Sequence, residues 1–179
     1  MSKKFIIAHA LSLLTCCVAF VGCVGEKTPP DMPKIYPTTI TITQAGAPCP
    51  GASVQLMKKD DLNYKWFAGG VTDDNGVCVI RTLGKYLGAP EGDFNVVVYK
   101  TTMLESETRK NQPTPPEDPT ELREWMKKVD EEEKEFEEVD PKYKRIETSD
   151  LTISIKAGKN AETFEVGEHV MIEVQRAFL

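Results

Sequence analysis

From position 38 onward, apolar and polar residues alternate in short runs, the pattern of half-buried strands rather than of helices. Thr39-Ile40-Thr41-Ile42-Thr43 alternates strictly, and threonine and isoleucine both suit a pleated surface covered on one side. The same period of two returns from Ala52 to Met57, with Val54 and Leu56 in step, and in a looser aromatic form at Tyr64-Lys65-Trp66-Phe67-Ala68. Val77 to Leu83 predicts a strand with Cys78 and Ile80 on one face, and Asp93 to Lys100 another with Phe94, Val96 and Val98 together. Leu151 to Ile155, Thr163 to Val166 and Val170 to Val174 complete the set, while Asp73-Asp74-Asn75-Gly76 and Gly158-Lys159-Asn160 read as turns. Roughly seven or eight short strands between Gly, Asn and Pro turns predict an all-β fold, an antiparallel sandwich.

One stretch breaks this rhythm. Residues 113–140 begin rich in proline and become strongly helix-forming. Asp118 suits an N-cap, Pro119 the first helical position, and Glu121 the third, so a helix is expected to start there and to run until Pro141 stops it. Leu122, Trp125, Met126, Val129 and Phe136 recur at helical spacing, predicting one amphipathic helix inserted in the sandwich with its apolar stripe docked on it. Glu124 with Lys128 and Asp130 with Lys134 have the spacing of supporting ion pairs.

The beginning of the chain follows a different logic. Lys3 and Lys4 precede a nearly uncharged stretch from Phe5 to Val21, the order of an export signal. A spanning helix competes, but His9, Ser12 and Thr15 interrupt a segment of marginal length for a bilayer. Phe20-Val21-Gly22-Cys23 resembles the bacterial lipobox, with Phe20 in place of the usual leucine. That resemblance implies cleavage before Cys23, a signal peptide over residues 1–22 and lipidation of Cys23. The expected location is therefore the cell membrane or outer membrane, lipid-anchored and exposed to the periplasm or cell surface. Residues 23–37 carry Pro29, Pro30, Pro33 and Pro37 and are expected to form an extended tether, reaching about 40 Å if it stays in polyproline geometry. The sandwich domain is then residues 38–179.

Charge narrows the partners. The chain carries 22 basic and 28 acidic residues, a formal charge of −6, which disfavours nucleic acid. Twelve acidic and four basic residues lie between Glu117 and Asp140, so the negative charge is concentrated in the insertion.

Gly46-Ala47-Pro48-Cys49-Pro50-Gly51-Ala52-Ser53-Val54 looks like the "G-x-P-V-x-G-A-x-V" loop and strand of small bacterial lipoproteins with a carboxypeptidase-regulatory-like, transthyretin-like domain. Thr72-Asp73-Asp74-Asn75-Gly76-Val77-Cys78 is similar to their "T-D-x-x-G-x-F", and Gly92-Asp93-Phe94-Asn95-Val96-Val97-Val98 to their "G-x-Y-x-V-x-V". Asp140-Pro141-Lys142-Tyr143 through Ser149, with Leu151 and Gly158-Lys159-Asn160, resembles their closing segment. The resemblance implies a Greek-key, transthyretin-like (prealbumin-like) sandwich of about seven strands and an accessory or structural module with no reaction. The chain departs from the pattern where Cys49 replaces a valine and Cys78 an aromatic. A disulfide between Cys49 and Cys78, formed after export, is one reading of that pair, and two buried free thiols are the other.

The chemistry sought elsewhere is thin. A zinc carboxypeptidase site needs several His and Glu ligands, and His169 is the one histidine after residue 22, so no metal or cofactor is expected. A transthyretin-like hydrolase would need further histidines and a Tyr-Arg-Gly-Ser ending where this chain reads Gln175-Arg176-Ala177-Phe178-Leu179. Ser53, Ser106, Ser149 and Ser154 have no nucleophile elbow around them. Asp73, Asp74 and Asn75 suggest either a hairpin turn or a calcium loop lacking its bidentate glutamate. Tyr64, Trp66, Phe67 and Tyr86 offer an aromatic platform for sugar, against core packing as the ordinary role. The functional expectation is a membrane-anchored, non-enzymatic structural or interaction module at the cell envelope. A carbohydrate- or peptide-binding accessory domain is the alternative, and a hydrolase a remote third.

Overall fold

A computed structural model describes residues 28–61 and 63–174. In chain order the strands are Ile35–Tyr36 (β1), Thr38–Gln44 (β2), Ala47–Pro48 (β3), Ser53–Lys58 (β4), Ala68–Val71 (β5), Val77–Val79 (β6), Arg81–Thr82 (β7), Tyr86–Leu87 (β8), Ala89–Pro90 (β9), Gly92–Tyr99 (β10) and Thr101–Leu104 (β11). Two helices follow, Glu107–Asn111 (α1) and Pro119–Glu132 (α2), then Lys134–Glu137 (β12), a 3-10 turn at Pro141–Lys144, Thr152–Ile155 (β13), Asn160–Glu165 (β14) and Ile172–Glu173 (β15). Strands account for 40% and helices for 16%, which places the chain in the mostly-β class.

The alternation along β2 works as its sequence implies: Thr38, Ile40, Ile42 and Gln44 are buried while the threonines between them are half-exposed. β2 is the centre of a four-stranded sheet, with β14 on one side and β3 and β6 on the other. The second main sheet runs β13-β10-β4-β5-β7-β8. Inward residues of both sheets, among them Ile40, Ile42, Leu56, Phe94, Val98 and Ile155, form one core cluster. Burying such a two-sided apolar layer is the main stabilising contribution to a fold of this kind. A small third sheet, β11-β12-β15, and the pair β1-β9 stand beside it.

Several expectations need correction. Pairing is not wholly antiparallel, because β14 runs parallel to β2 from Asn160↔Thr38 to Glu165↔Thr43. The strand expected from Val77 to Leu83 breaks at Ile80, whose N–H donates to Thr38 O. On one side of Ile80, β6 pairs with β2; on the other, β7 pairs with β5, so the chain changes sheets there. The fifteen strand segments exceed the seven or eight expected because of such breaks and short pairings. Residues 35–36, expected in the tether, form β1 against Ala89 and Pro90, and Tyr36 packs against the core.

The inserted helix begins as expected: Asp118 Oδ1 accepts from Thr120 N and Glu121 N, and Pro119 opens the first turn. It ends at Glu132, well short of Pro141, and Phe136 lies on strand β12 instead. Asp130 to Glu133 put four carboxylates at the negative end of the helix dipole with no basic residue in the last turn, an arrangement that works against extension. The stripe packs chiefly against the other helix and not on the sandwich core as expected. It meets the shorter helix, α1, where Thr108 donates through N and Oγ1 to the Glu132 carboxylate and the Arg109 guanidinium lies 5.9 Å from the Trp125 ring centre. Val129 is buried, but Met126 is 58% exposed. Lys134 leaves the helix and pairs with Glu173 at 3.0 Å, and Lys127 lies 3.8 Å from Glu131 on the helix.

Candidate functional site

Along β4, Val54 and Leu56 point into the core, so Ser53, Gln55 and Met57 face outward. The register Gln55↔Gly69 and Ser53↔Val71 carries that outer face onto β5, and Gly69↔Arg81 carries it onto β7. On the other flank, Ser53↔Tyr99 adds Tyr99 of β10. Gly69 therefore sits at the centre of a cross, with Gln55 and Arg81 on the neighbouring strands and Phe67 and Val71 two positions away along its own. A β-carbon at Gly69 would lie 2.4 Å from Val54 O and 3.3 Å from Gln55 Cα. The strands approach too closely for any side chain there, and the missing side chain leaves a depression in the sheet face.

The result is an open groove of about 550 Å³, with Phe67, Met57 and Tyr64 towards one end and Val71 and Tyr99 towards the other. Phe67 is 62% and Val71 61% exposed, the two most exposed large apolar side chains among the described residues, and both face this one depression. Gln55 Nε2 donates to Tyr99 Oη at 3.2 Å, fixing both side chains at the rim. Arg81 Nη1 donates to Lys85 O at a long 3.4 Å, and among the described residues no carboxylate pairs with its guanidinium. Burial, reinforced by Asp61, holds the Tyr64 hydroxyl above its usual pKa, and its ring meets Phe94 edge-on at 6.4 Å. Apart from its tyrosines, Arg81 is the only ionisable group in the lining, so the surface is equipped for contact and for one anion.

Of the four aromatics proposed as a platform, Phe67 and Tyr64 line this groove. Trp66 is buried, and Tyr86 is half-buried outside the lining. Arg81, Tyr99 and Gly69 were not singled out from sequence. Tyr99 was visible as the outward partner of Val98 in an alternating strand, and Gly69-Gly70 as a doublet inside one, a sign of close backbone approach.

The other candidates are dispersed. His169 is exposed, with Nε2 3.6 Å from Glu138 Oε2, and the same carboxylate holds Lys100 at 2.7 Å. It does not line the groove. Asp73 Oδ1 accepts from Asn75 N and Val77 N, and Gly76 takes φ +72, so the Asp73 to Gly76 segment is a side-chain-capped turn. Among the described residues no group of three or more His, Cys, Asp or Glu side chains is placed to hold a metal.

Cys49 and Cys78 are both buried and both carry free thiols. Cys49 N donates to Ile42 O, and Cys78 pairs with Ile40, so the two lie beside positions of β2 two residues apart, about 7 Å along the strand. That separation is at the outer limit for a disulfide, and the sulfurs have different neighbours. Cys49 Sγ is 3.8 Å from Gln44 Oε1, whereas Cys78 Sγ lies over Gly70. The expected bond is not formed here, and burial raises both thiol pKa values, that of Cys78 to about 11.

Cys23 and the segment before it, residues 1–22, lie outside the described residues. Among those described, no helix is long and apolar enough to cross a membrane. In comparisons with known proteins, no family model matches the chain and no curated protein matches it either.

Proposed function

We propose that the chain is a lipoprotein anchored through Cys23, whose Greek-key, transthyretin-like sandwich is a non-enzymatic interaction module at the cell envelope. The order of Lys3, Lys4, the apolar stretch and Phe20-Val21-Gly22-Cys23 supports the anchor. The observation that carries the binding role is the groove centred on Gly69, where exposed Phe67 and Val71 surround a position no side chain can fill. Its lining is mostly apolar with few polar groups, the composition of a recognition site. The test uses membrane-extracted full chain carrying a photoreactive residue in place of Phe67. Discrete adducts that disappear when the probe is moved to Asp74, together with an acylated Cys23 as the first residue by mass spectrometry, are expected. An intact Met1 or unmodified Cys23 removes the anchor, and identical labelling from both positions removes the groove.

A carbohydrate-binding role is the second reading, favoured by the aromatic rings of Phe67 and Tyr64 in the groove. A glycan array without a binder counts against it.

A further inference from the structure

We propose that the groove takes an extended peptide carrying an apolar or aromatic side chain close to a carboxylate; this rests on the groove being the binding surface. Along β5 its lining runs from Phe67 to Val71. From Phe67 to Val71 is four strand steps, about 13 Å, which matches about four residues of extended chain. Gly69 leaves the middle of that path open, so a peptide backbone can lie low over β5 while its side chains reach Phe67 on one side and Val71 on the other.

Arg81 decides the charge. It stands directly across from Gly69 with no carboxylate partner among the described residues, and a guanidinium presents two parallel N–H donors that fit a carboxylate better than any neutral group. The chain as a whole is acidic, with its negative charge concentrated between Glu117 and Asp140, so an arginine with no carboxylate beside it among the described residues is a local exception in this apolar groove. Lys58 and Asp61 stand beside Tyr64 at one end with opposite charges, charges further away than roughly 8 Å are largely screened at physiological salt, and Arg81 is the charge within the lining.

The same lining argues against sugar. Each hydroxyl brought into a groove needs a polar partner, and the polar side chains here are Ser53, Gln55, Arg81 and the tyrosine hydroxyls, with Gln55 and Tyr99 already bonded to each other. An apolar peptide side chain makes no such demand on Phe67, Met57 or Val71, and the peptide's carboxylate would meet Arg81.

The experiment titrates detergent-solubilised full chain against a labelled heptapeptide of Gly, Phe and Asp, the same peptide with Lys for Asp, and unlabelled cellohexaose. The Asp peptide is expected to bind, with affinity falling as salt rises. Arg81→Glu should weaken it about tenfold, Arg81→Lys less, and Phe67→Ala comparably to the charge reversal. Both positions are exposed, so thermal melts of the variants should match the parent. Equal affinity for the Lys peptide, or no effect of Arg81→Glu, overturns the proposal. Cellohexaose binding that Phe67→Ala abolishes also overturns it, while leaving the groove as the binding surface. No binding by any probe, together with no position-specific adduct at residue 67, overturns both.

Discussion

Cys78 Sγ occupies the space a side chain at position 70 would need: a β-carbon on Gly70 would lie 2.8 Å from it and 3.2 Å from Val79 O. The glycine of β5 and the cysteine of β6 are thus packed as one unit between the two main sheets. Gly70→Ala should destabilise the fold by about 1–3 kcal/mol, since overpacking forces the sulfur or the strand to move. Cys78→Ala alone should cost less, and combining it with Gly70→Ala should recover part of the loss because the sulfur is the nearer obstacle. Urea melts of the four proteins give the coupling directly. Strict additivity would mean that the two residues do not compete for the same space.

Alkaline pH should weaken the fold through the same sulfur. Burial, with Asp73 adding to it, raises the Cys78 thiol to about 11, whereas in the unfolded chain it titrates near its ordinary value of 9.0. The folded state therefore holds its proton longer. The stabilising contribution is complete below about pH 9 and is lost as pH rises towards 11, on the order of 2 kcal/mol across that window. Cys49, raised by burial as well, should act in the same direction. Thermal melts between pH 8 and 11 should show a falling midpoint, and Cys78→Ala should flatten the slope.

Both thiols should remain reduced even in an oxidising compartment. Cys49 is 2% and Cys78 0% exposed, and the two sulfurs have different nearest neighbours, so a small oxidant has little access to either. Native protein should resist alkylation by iodoacetamide, and denatured protein should take up label at both positions without prior reduction. A mass gain of about two daltons on reduction, the signature of a closed bridge, would show that the pair closes after all.

The parts of the fold that depend on local pattern were legible in sequence, and those that depend on pairing partners were not. Ile40 and Ile42 announced a half-buried strand because period two is a property of the strand itself, and Asp118 announced a helix start because a cap acts within three residues. Nothing in Asn160 to Glu165 states that it will run parallel to β2 instead of antiparallel, since register and direction are set by what the rest of the chain leaves open. The end of α2 was misread because the apolar spacing continued to Phe136, while the four carboxylates from Asp130 to Glu133 opposed it electrostatically. The groove was half legible. Phe67 and Tyr64 stood out as aromatics, but their meeting with Arg81 across Gly69 exists only in the register of three strands.

The docking of β1 turns on one glycine. Gly88 has φ +114, its N–H donates to Ile80 O, and its own carbonyl accepts from Thr82 Oγ1, so its backbone is held from both sides. A β-carbon there would lie 2.4 Å from Tyr36 O and 2.7 Å from Tyr36 C, at the edge of the pairing between β1 and β9. Gly88→Ala should therefore push β1 away from Ala89 and Pro90 in addition to straining its own backbone. Gly46 isolates the second effect, because its φ is +75 and nothing lies within 4 Å of an added β-carbon. Gly46→Ala should cost about 1 kcal/mol and leave β1 in place. Gly88→Ala should cost roughly 1–3 kcal/mol for the strain alone, plus the clash, and should open the segment from Thr28 to Tyr36 to limited proteolysis. Equal destabilisation by the two variants, with unchanged cleavage before Thr38, would mean that contact with Gly88 does not hold β1 against the sandwich.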